Sequence, residues 1–185
     1  LTMLFDMDKY MYAEEETHFW LKEASGSQKK SSTVIYLDEG ATLNRIVNPL
    51  EEGAVYRVDT PNSTMAVRGT VFRVEVRKGS DDKVYTYLAV LDGAVKVDLK
   101  TTEGEYNGVT ETISAGTAAV VRADETFSEF VVGRGGKIAV PIDYASFPVG
   151  TLKQIINYID DGDEIAADRD ELEALIKQAI ADKHE

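Results

Sequence analysis

From about Thr17 to Asp143 the chain is closely punctuated: short apolar runs are broken by Gly, Asn, Asp and Ser at intervals of roughly a dozen residues. Runs of that length do not cover one face of a helix, but they suit the short strands of an all-β sandwich or barrel. Candidate strands cover 33–37, 54–58, 72–77, 85–91, 94–99 and 118–121. In 72–77, Phe72, Val74 and Val76 alternate with Arg73, Glu75 and Arg77, the pattern of a strand with one inward and one outward face. LeuAspGlyAla (91–94) predicts a tight hairpin, because Asp-Gly supplies the positive φ angles such turns need.

One local form recurs. LeuAspGluGlyAla (37–41), LeuGluGluGlyAla (50–54), ValArgGlyThr (67–70), LeuAspGlyAla (91–94) and IleSerAlaGlyThr (113–117) each place a glycine and a small residue just before a strand. Their irregular spacing excludes a solenoid of fixed period. Recurrent glycine corners suit a rolled or sandwiched β-architecture, in which the chain must turn repeatedly.

The period changes at Thr151. Leu152, Ile155, Ile156 and Ile159 fall on one helical face, Thr151 with Gln154 has the form of a capping box, and Gly162 is placed to end the helix. A second helix follows, with Asp168 as N-cap, Glu171 three residues on, and a stripe of Leu172, Leu175, Ile176 and Ala179. The two helices are expected to pack on the β-domain, the alternative being a face that docks a partner. The expected architecture is mainly β: an antiparallel β-sandwich, jelly-roll-like or rolled domain, followed by two C-terminal α-helices. Its divisions are an N-terminal extension (1–16), the β-domain (17–145) and a helical appendage packed on it (146–185).

Composition narrows the function. Net charge is −13, concentrated in 151–185, and no basic stripe offsets it, so nucleic acid is not an expected partner. There is no cysteine, and the two histidines, His18 and His184, lie near opposite ends, which excludes thiolate chemistry and a histidine metal triad. The acidic run after Asp160 does not follow the EF-hand pattern, and GlyArgGlyGlyLys (133–137) lacks the ending of a phosphate loop. Glu14, Glu15 and Glu16 read as a solvated run. No enzyme, metal or cofactor is expected; a carboxylate-based hydrolase would need a deep pocket lined by two or more carboxylates. No apolar run is long enough to span a membrane, and the start at Leu1 reads as that of a trimmed fragment.

Within TPNSTMAVRGTVFRVEV (60–76) an arginine and a glycine interrupt an apolar stretch. Arg68 has three readings: it lies on the outer face of a strand, it is partly buried against carbonyls or a carboxylate, or it binds an anionic ligand. Gly69 would permit a bulge, which fits the broken alternation at Val71 and Phe72. Tyr85 and Tyr87 leave one strand on the same side and are a second place for a ligand or partner, or else sheet packing.

The run 56–74 resembles the signature of the FecR domain family, carried here by Thr60, Pro61, Val67, Arg68, Gly69, Thr70 and Phe72. The later elements of that signature are matched by LeuAspGlyAlaValLysVal (91–97) and SerAlaGlyThr (114–117), so the resemblance covers roughly 34–122. It is similar to the forms found in Gram-positive bacteria. The resemblance implies a non-enzymatic extracytoplasmic β-domain, held at the cell envelope by a transmembrane helix outside this fragment. Such a module senses or binds a small ligand or protein partner at the cell surface, with a role in signal transduction or anti-sigma regulation. A structural cell-surface module that displays or spaces other domains is the alternative. On the resemblance, Arg68 and Gly69 belong to the fold signature first and to a ligand site second.

Overall fold

The computed structural model describes residues 1–5, 8–25 and 31–184. Their strands are β1 (Thr2–Phe5), β2 (Lys9–Ala13), β3 (His18–Ser25), β4 (Ser32–Ile46), β5 (Val55–Asp59), β6 (Ser63–Val67), β7 (Val71–Lys78), β8 (Val84–Asp92), β9 (Ala94–Lys100), β10 (Tyr106–Ser114), β11 (Thr117–Ala123), β12 (Ser128–Phe130) and β13 (Val140–Pro141). Two helices follow, α1 (Val149–Asp160) and α2 (Arg169–Asp182). The expected mainly β class with two C-terminal helices is what the chain adopts.

Pairing divides the strands between two sheets that share β4. The first runs β1-β2-β4-β7-β8-β11, with β12 and β13 both on the far edge of β11. The second runs β3-β4-β5-β6-β9-β10. All these pairs are antiparallel except β4 with β5, where Ser32–Tyr36 runs parallel to Val55–Asp59. The N-terminal half of β4 lies in the second sheet and its C-terminal half in the first, the change falling at Gly40.

Every recurrent glycine corner is a passage between the sheets. Gly40 carries β4 from the second to the first, and Gly53 precedes the return to β5. Gly69 lies between β6 and β7, Gly93 between β8 and β9, and Gly116 between β10 and β11. The hairpin expected at 91–94 is therefore not formed. Gly93 does take positive φ (79°), but β8 pairs with β7 and β11 while β9 pairs with β6 and β10, so the turn delivers the chain to the opposite sheet. Positive φ marks a tight turn without saying which strand the turned chain will meet.

The bulge expected at Gly69 is likewise elsewhere. Val71 is opposite Asp92 and Phe72 opposite Val90, which leaves Leu91 of β8 as the extra residue. Val71 and Phe72 are both apolar because both faces of β7 are covered. Phe72, Val74 and Val76 fill the core between the sheets, with Ile35, Tyr56, Met65, Val90 and Val97. On the other side Leu43, Val71, Ala89 and Leu91 meet Leu152, Ile155, Ile156, Tyr158 and Leu172 of the helices. The molecule is thus three layers deep: second sheet, first sheet, helices.

The helix ends follow local chemistry, with one exception. Asp161 and Gly162 close α1 in a Schellman arrangement, Gly162 N–H reaching Ile159 O and Asp163 N–H reaching Tyr158 O, both at 3.0 Å. Asp168 caps α2 by accepting from the amides of Asp170 and Glu171. The capping box expected at Thr151 is absent, because α1 begins earlier with Pro148 at the N-cap position. Thr151 instead lies buried in the first turn and donates to Glu14 Oε1 at 2.5 Å.

Candidate functional site

Thr60 and Pro61 form the turn between β5 and β6, and the side chains of this turn join the two sheets. Thr60 Oγ1, Ser63 Oγ and Thr86 Oγ1 each donate to Asn62 Oδ1, at 3.1, 3.1 and 2.7 Å. The Asn62 amide in turn donates to the carbonyls of Val84 and Val121, at 3.3 Å each. Thr60, Asn62, Ser63 and Thr86 are all buried, so this network stands in place of water for groups that would otherwise be costly to enclose. A second cross-sheet tie is the Tyr56 hydroxyl, which donates to Asn44 Oδ1 at 2.7 Å; burial pushes its pKa far upward.

Of the signature residues, Val67 and Phe72 are core, and Thr70 is buried with its hydroxyl on Ala94 O at 3.1 Å. Arg68 and Gly69 lie just past the end of β6, at the corner leading to β7. The Arg68 carbonyl accepts from Leu50 N–H at 2.6 Å, while its side chain is exposed and meets no partner among the described residues. The second of the three readings, an arginine satisfied in the interior, is thereby set aside.

Arg68 opens onto the outer face of the second sheet, the one the helices leave uncovered. There Val55, Ala66, Arg68, Ala94, Lys96 and Thr112 line a groove of about 530 Å³ with a small-residue floor and two cations. Further along this face Lys22, Arg57 and Lys100 gather around Asp59. Lys22 Nζ is 3.2 Å from Asp59 Oδ2, Arg57 Nε is 2.8 Å from Oδ1, and Lys100 Nζ donates to Thr60 O at 3.0 Å. Burial works to raise the Asp59 pKa, but hydrogen bonding from Arg57, the charges of Lys100 and Arg57 and a hydrogen bond from Lys22 outweigh it and hold the carboxyl below its ordinary value. Lys100 moves down, because burial and the neighbouring cations disfavour its charge more than Asp59 supports it.

Beside these cations Trp20 stacks on Tyr36, ring centroids 4.4 Å apart, with Trp20 still 52% exposed. Strand alternation could have placed Arg57 and Asp59 on one face. The meeting of Trp20 with Tyr36 depends on the register of β3 on β4 and has no signal in the local sequence.

Tyr85 and Tyr87 do share a face, their rings stacked at 6.2 Å, but that face belongs to the first sheet. Tyr85 donates to Asp81 at 2.7 Å and the Arg77 guanidinium lies 4.3 Å from the Tyr87 ring centroid. Arg68 and the tyrosine pair therefore sit on opposite sides of the sandwich and do not form one site.

A cleft of about 360 Å³ between the first sheet and the start of the helical segment is lined by Glu14, Glu75 and Asp143, the carboxylates a hydrolase would require. Glu14 is not the solvated residue its neighbours suggested. It accepts from Arg73 Nε and Nη2 at 2.8 and 2.9 Å, while Glu75 accepts from Arg73 Nη1 at 3.0 Å. Asp143 caps a turn through Ala145 N–H. One guanidinium engages Glu14 and Glu75 and one turn engages Asp143, while the Thr151 hydroxyl on Glu14 holds α1 to this edge of the sheet. Arg45 repeats the device with Asp163 and Asp161, stacked 4.6 Å from the Tyr158 ring centroid. Among the described residues no three His, Asp or Glu side chains converge to hold a metal.

The sequence of residues 10–96 matches the FecR protein family. Through this segment the chain is similar to the FecR family. The matched FecR segment runs from β2 to the first residues of β9 and contains the 60–76 run, the Arg68 corner and the aromatic–cation cluster apart from Lys100. The fold is shared with two crystal structures of a candidate anti-sigma factor from Parabacteroides distasonis ATCC 8503, each with a TM-score of 0.54 and 13% identity. The similarity covers 77% of this chain, which spans little more than half of those longer chains, 56% and 55%. No curated protein matches the sequence. No helix among the described residues is long and apolar enough to cross a membrane.

Proposed function

We propose that this FecR-like chain is the sensing and regulatory β-domain of a membrane-anchored bacterial signalling protein, sited outside the cytoplasm and acting by contact without chemistry of its own. The family match over residues 10–96 carries the reading. The likeness to a candidate anti-sigma factor supports a place in transcriptional signalling, through a fold common to both. The layering gives this role its form: the first sheet is occupied by the protein's own helices, and the second presents an open face with Arg68, Lys96 and the Trp20 cluster. A ligand or protein partner seated there would be reported through the full-length protein.

The test uses the native full-length gene. Alkaline phosphatase and green fluorescent protein are fused in turn after Glu185, and transcripts are compared between wild type and a strain lacking the coding segment for 1–185. The expected result is active phosphatase, a dark fluorescent fusion and a discrete set of promoters changed by the deletion. A fluorescent fusion would overturn the extracytoplasmic placement. Surface placement with unchanged transcripts would replace the regulatory reading with that of a display or spacer module.

A further inference from the structure

The second sheet's outer face combines two features on a protein of net charge −13: a stacked aromatic pair whose indole is exposed and a cluster of three cations around one carboxylate. Lys22 and Lys100 lie 5.9 and 5.8 Å from the Tyr36 ring centroid, on the ring that Trp20 stacks against. Asp59 is 2% exposed and balances one of the three positive charges, so these four side chains keep a surplus of two, with Asp38 the further carboxylate whose charge reaches Tyr36. Donors remain as well. Lys22 Nζ is bonded to Asp59 and Lys100 Nζ to Thr60 O, which leaves two N–H groups on each ammonium. Arg57 uses Nε and Nη2 on Asp59, leaving Nη1 open.

For folding alone this arrangement is wasteful. Three cations repel one another around a carboxylate that Arg57 already satisfies, and the indole leaves half its surface in water. For binding it is complementary to a ligand with an apolar face and an adjacent carboxylate. The electron-rich face of the indole attracts the polarised C–H bonds on one side of a pyranose ring, and the spare ammonium and guanidinium donors suit a carboxylate on that ring. The remaining charge argues against a dense polyanion. A field of −13 repels phosphate chains, whereas one carboxylate per sugar keeps charge density low enough for a local surplus of two to attract it.

We infer that Trp20, Tyr36, Lys22, Arg57 and Lys100 form a binding site for an acidic oligosaccharide of the uronic acid class. This deepens the sensing role proposed above and rests on it for its biological purpose; the binding itself is measured on the chain as it stands, so either can fail without the other.

Trp20 is the chain's one tryptophan, so its fluorescence reports directly on the site. Titration with tri-galacturonate should give a saturable change with a Kd on the order of 10 μM to 1 mM. Lys22→Ser and Lys100→Met should each weaken binding by about tenfold, for loss of a charge-assisted hydrogen bond. Trp20→Ala should abolish binding followed by calorimetry, and circular dichroism confirms that each variant is folded. Lys22 is partly exposed and a variant there removes no core contact, so it keeps the test open if Lys100→Met does not fold. Equal binding of neutral maltotriose would overturn the role of the cations. Citrate, an acidic hexapeptide or adenosine monophosphate binding as tightly as tri-galacturonate would overturn the sugar assignment. No saturable change up to about 10 mM would overturn the site itself.

Discussion

A Cβ built on Gly93 would lie 2.5 Å from the carbonyl oxygen of Gly69, so the two corners that lead the chain between sheets are packed backbone to backbone. Gly93→Ala therefore carries two penalties, a positive φ of 79° and a clash with a backbone atom that has no room to yield. Gly104, at φ 85° with nothing within 4 Å of its missing side chain, carries the first alone. Chemical denaturation should show Gly104→Ala costing about 1 kcal/mol and Gly93→Ala at least about 3 kcal/mol. Equal losses would mean that the Gly69–Gly93 contact relaxes freely.

Arg68 presents the opposite case. Exposed and without a side-chain partner, it should contribute little to stability, and Arg68→Ala should shift the unfolding free energy by less than about 0.5 kcal/mol. Any loss of binding or signalling in that variant would then belong to its exposed guanidinium. A large loss of stability would show instead that the corner needs the side chain.

Arg73 on β7 pairs with Glu14, just after β2, across 59 positions of sequence, and Glu14 in turn accepts from Thr151 of α1. Removing one partner leaves a buried charge unpaired, so Arg73→Leu should destabilise by about 3–5 kcal/mol. The double variant Glu14→Leu with Arg73→Leu should cost clearly less than the sum of the single changes. Additive losses in a double-mutant cycle would show that the pair is not coupled.

Asn62 holds five side-chain hydrogen bonds among the turn, β8 and β11. Asn62→Ala would remove the acceptor that the Thr60, Ser63 and Thr86 hydroxyls share inside the protein, together with the donors to Val84 O and Val121 O, and should cost about 2–4 kcal/mol in urea unfolding. Asn62→Asp should not rescue it, because the two carbonyls of Val84 and Val121 then face a group that cannot donate.

Burial pushes the pKa of Tyr158 and of Tyr144 up to about 12. For Tyr158 the Arg45 charge works against that rise without reversing it. A phenol whose folded value exceeds its unfolded value of about 10 adds stability that is complete below pH 10 and is lost as pH climbs through the folded value. Thermal unfolding followed between pH 9 and 12 should show a falling Tm, as the unfolded chain ionises first. Replacing both by phenylalanine should make that fall shallower, leaving the part due to Tyr56; an unchanged slope would assign it to other groups.

How much of this was legible beforehand depends on the range of the interaction involved. Each expected strand formed within a residue or two except 33–37, which runs on to Ile46 through Gly40; Asp168 capped α2 and Gly162 closed α1, because strand alternation, side-chain capping and positive φ operate within a few residues. The mostly polar, exposed β10 carried no apolar pattern and escaped notice for that reason. Alternation also put Arg73 opposite the core side of β7, but whether that outer face met water or a helix lay with residues 149–172, far along the chain.

What the sequence determined by itself was the kind of element at each place, the face each residue takes, and the need for glycine at the corners. The tertiary structure decided what those corners join, turning an apparent hairpin at Gly93 into a crossing between sheets. It also decided that Arg73 is enclosed, that Arg68 is free, that Trp20 meets Tyr36, and that Lys22 and Lys100 lie against the Tyr36 ring. A period of two says which way a side chain points, while the strand it finds there is set by pairings between distant segments, which exist only once the sheets have closed.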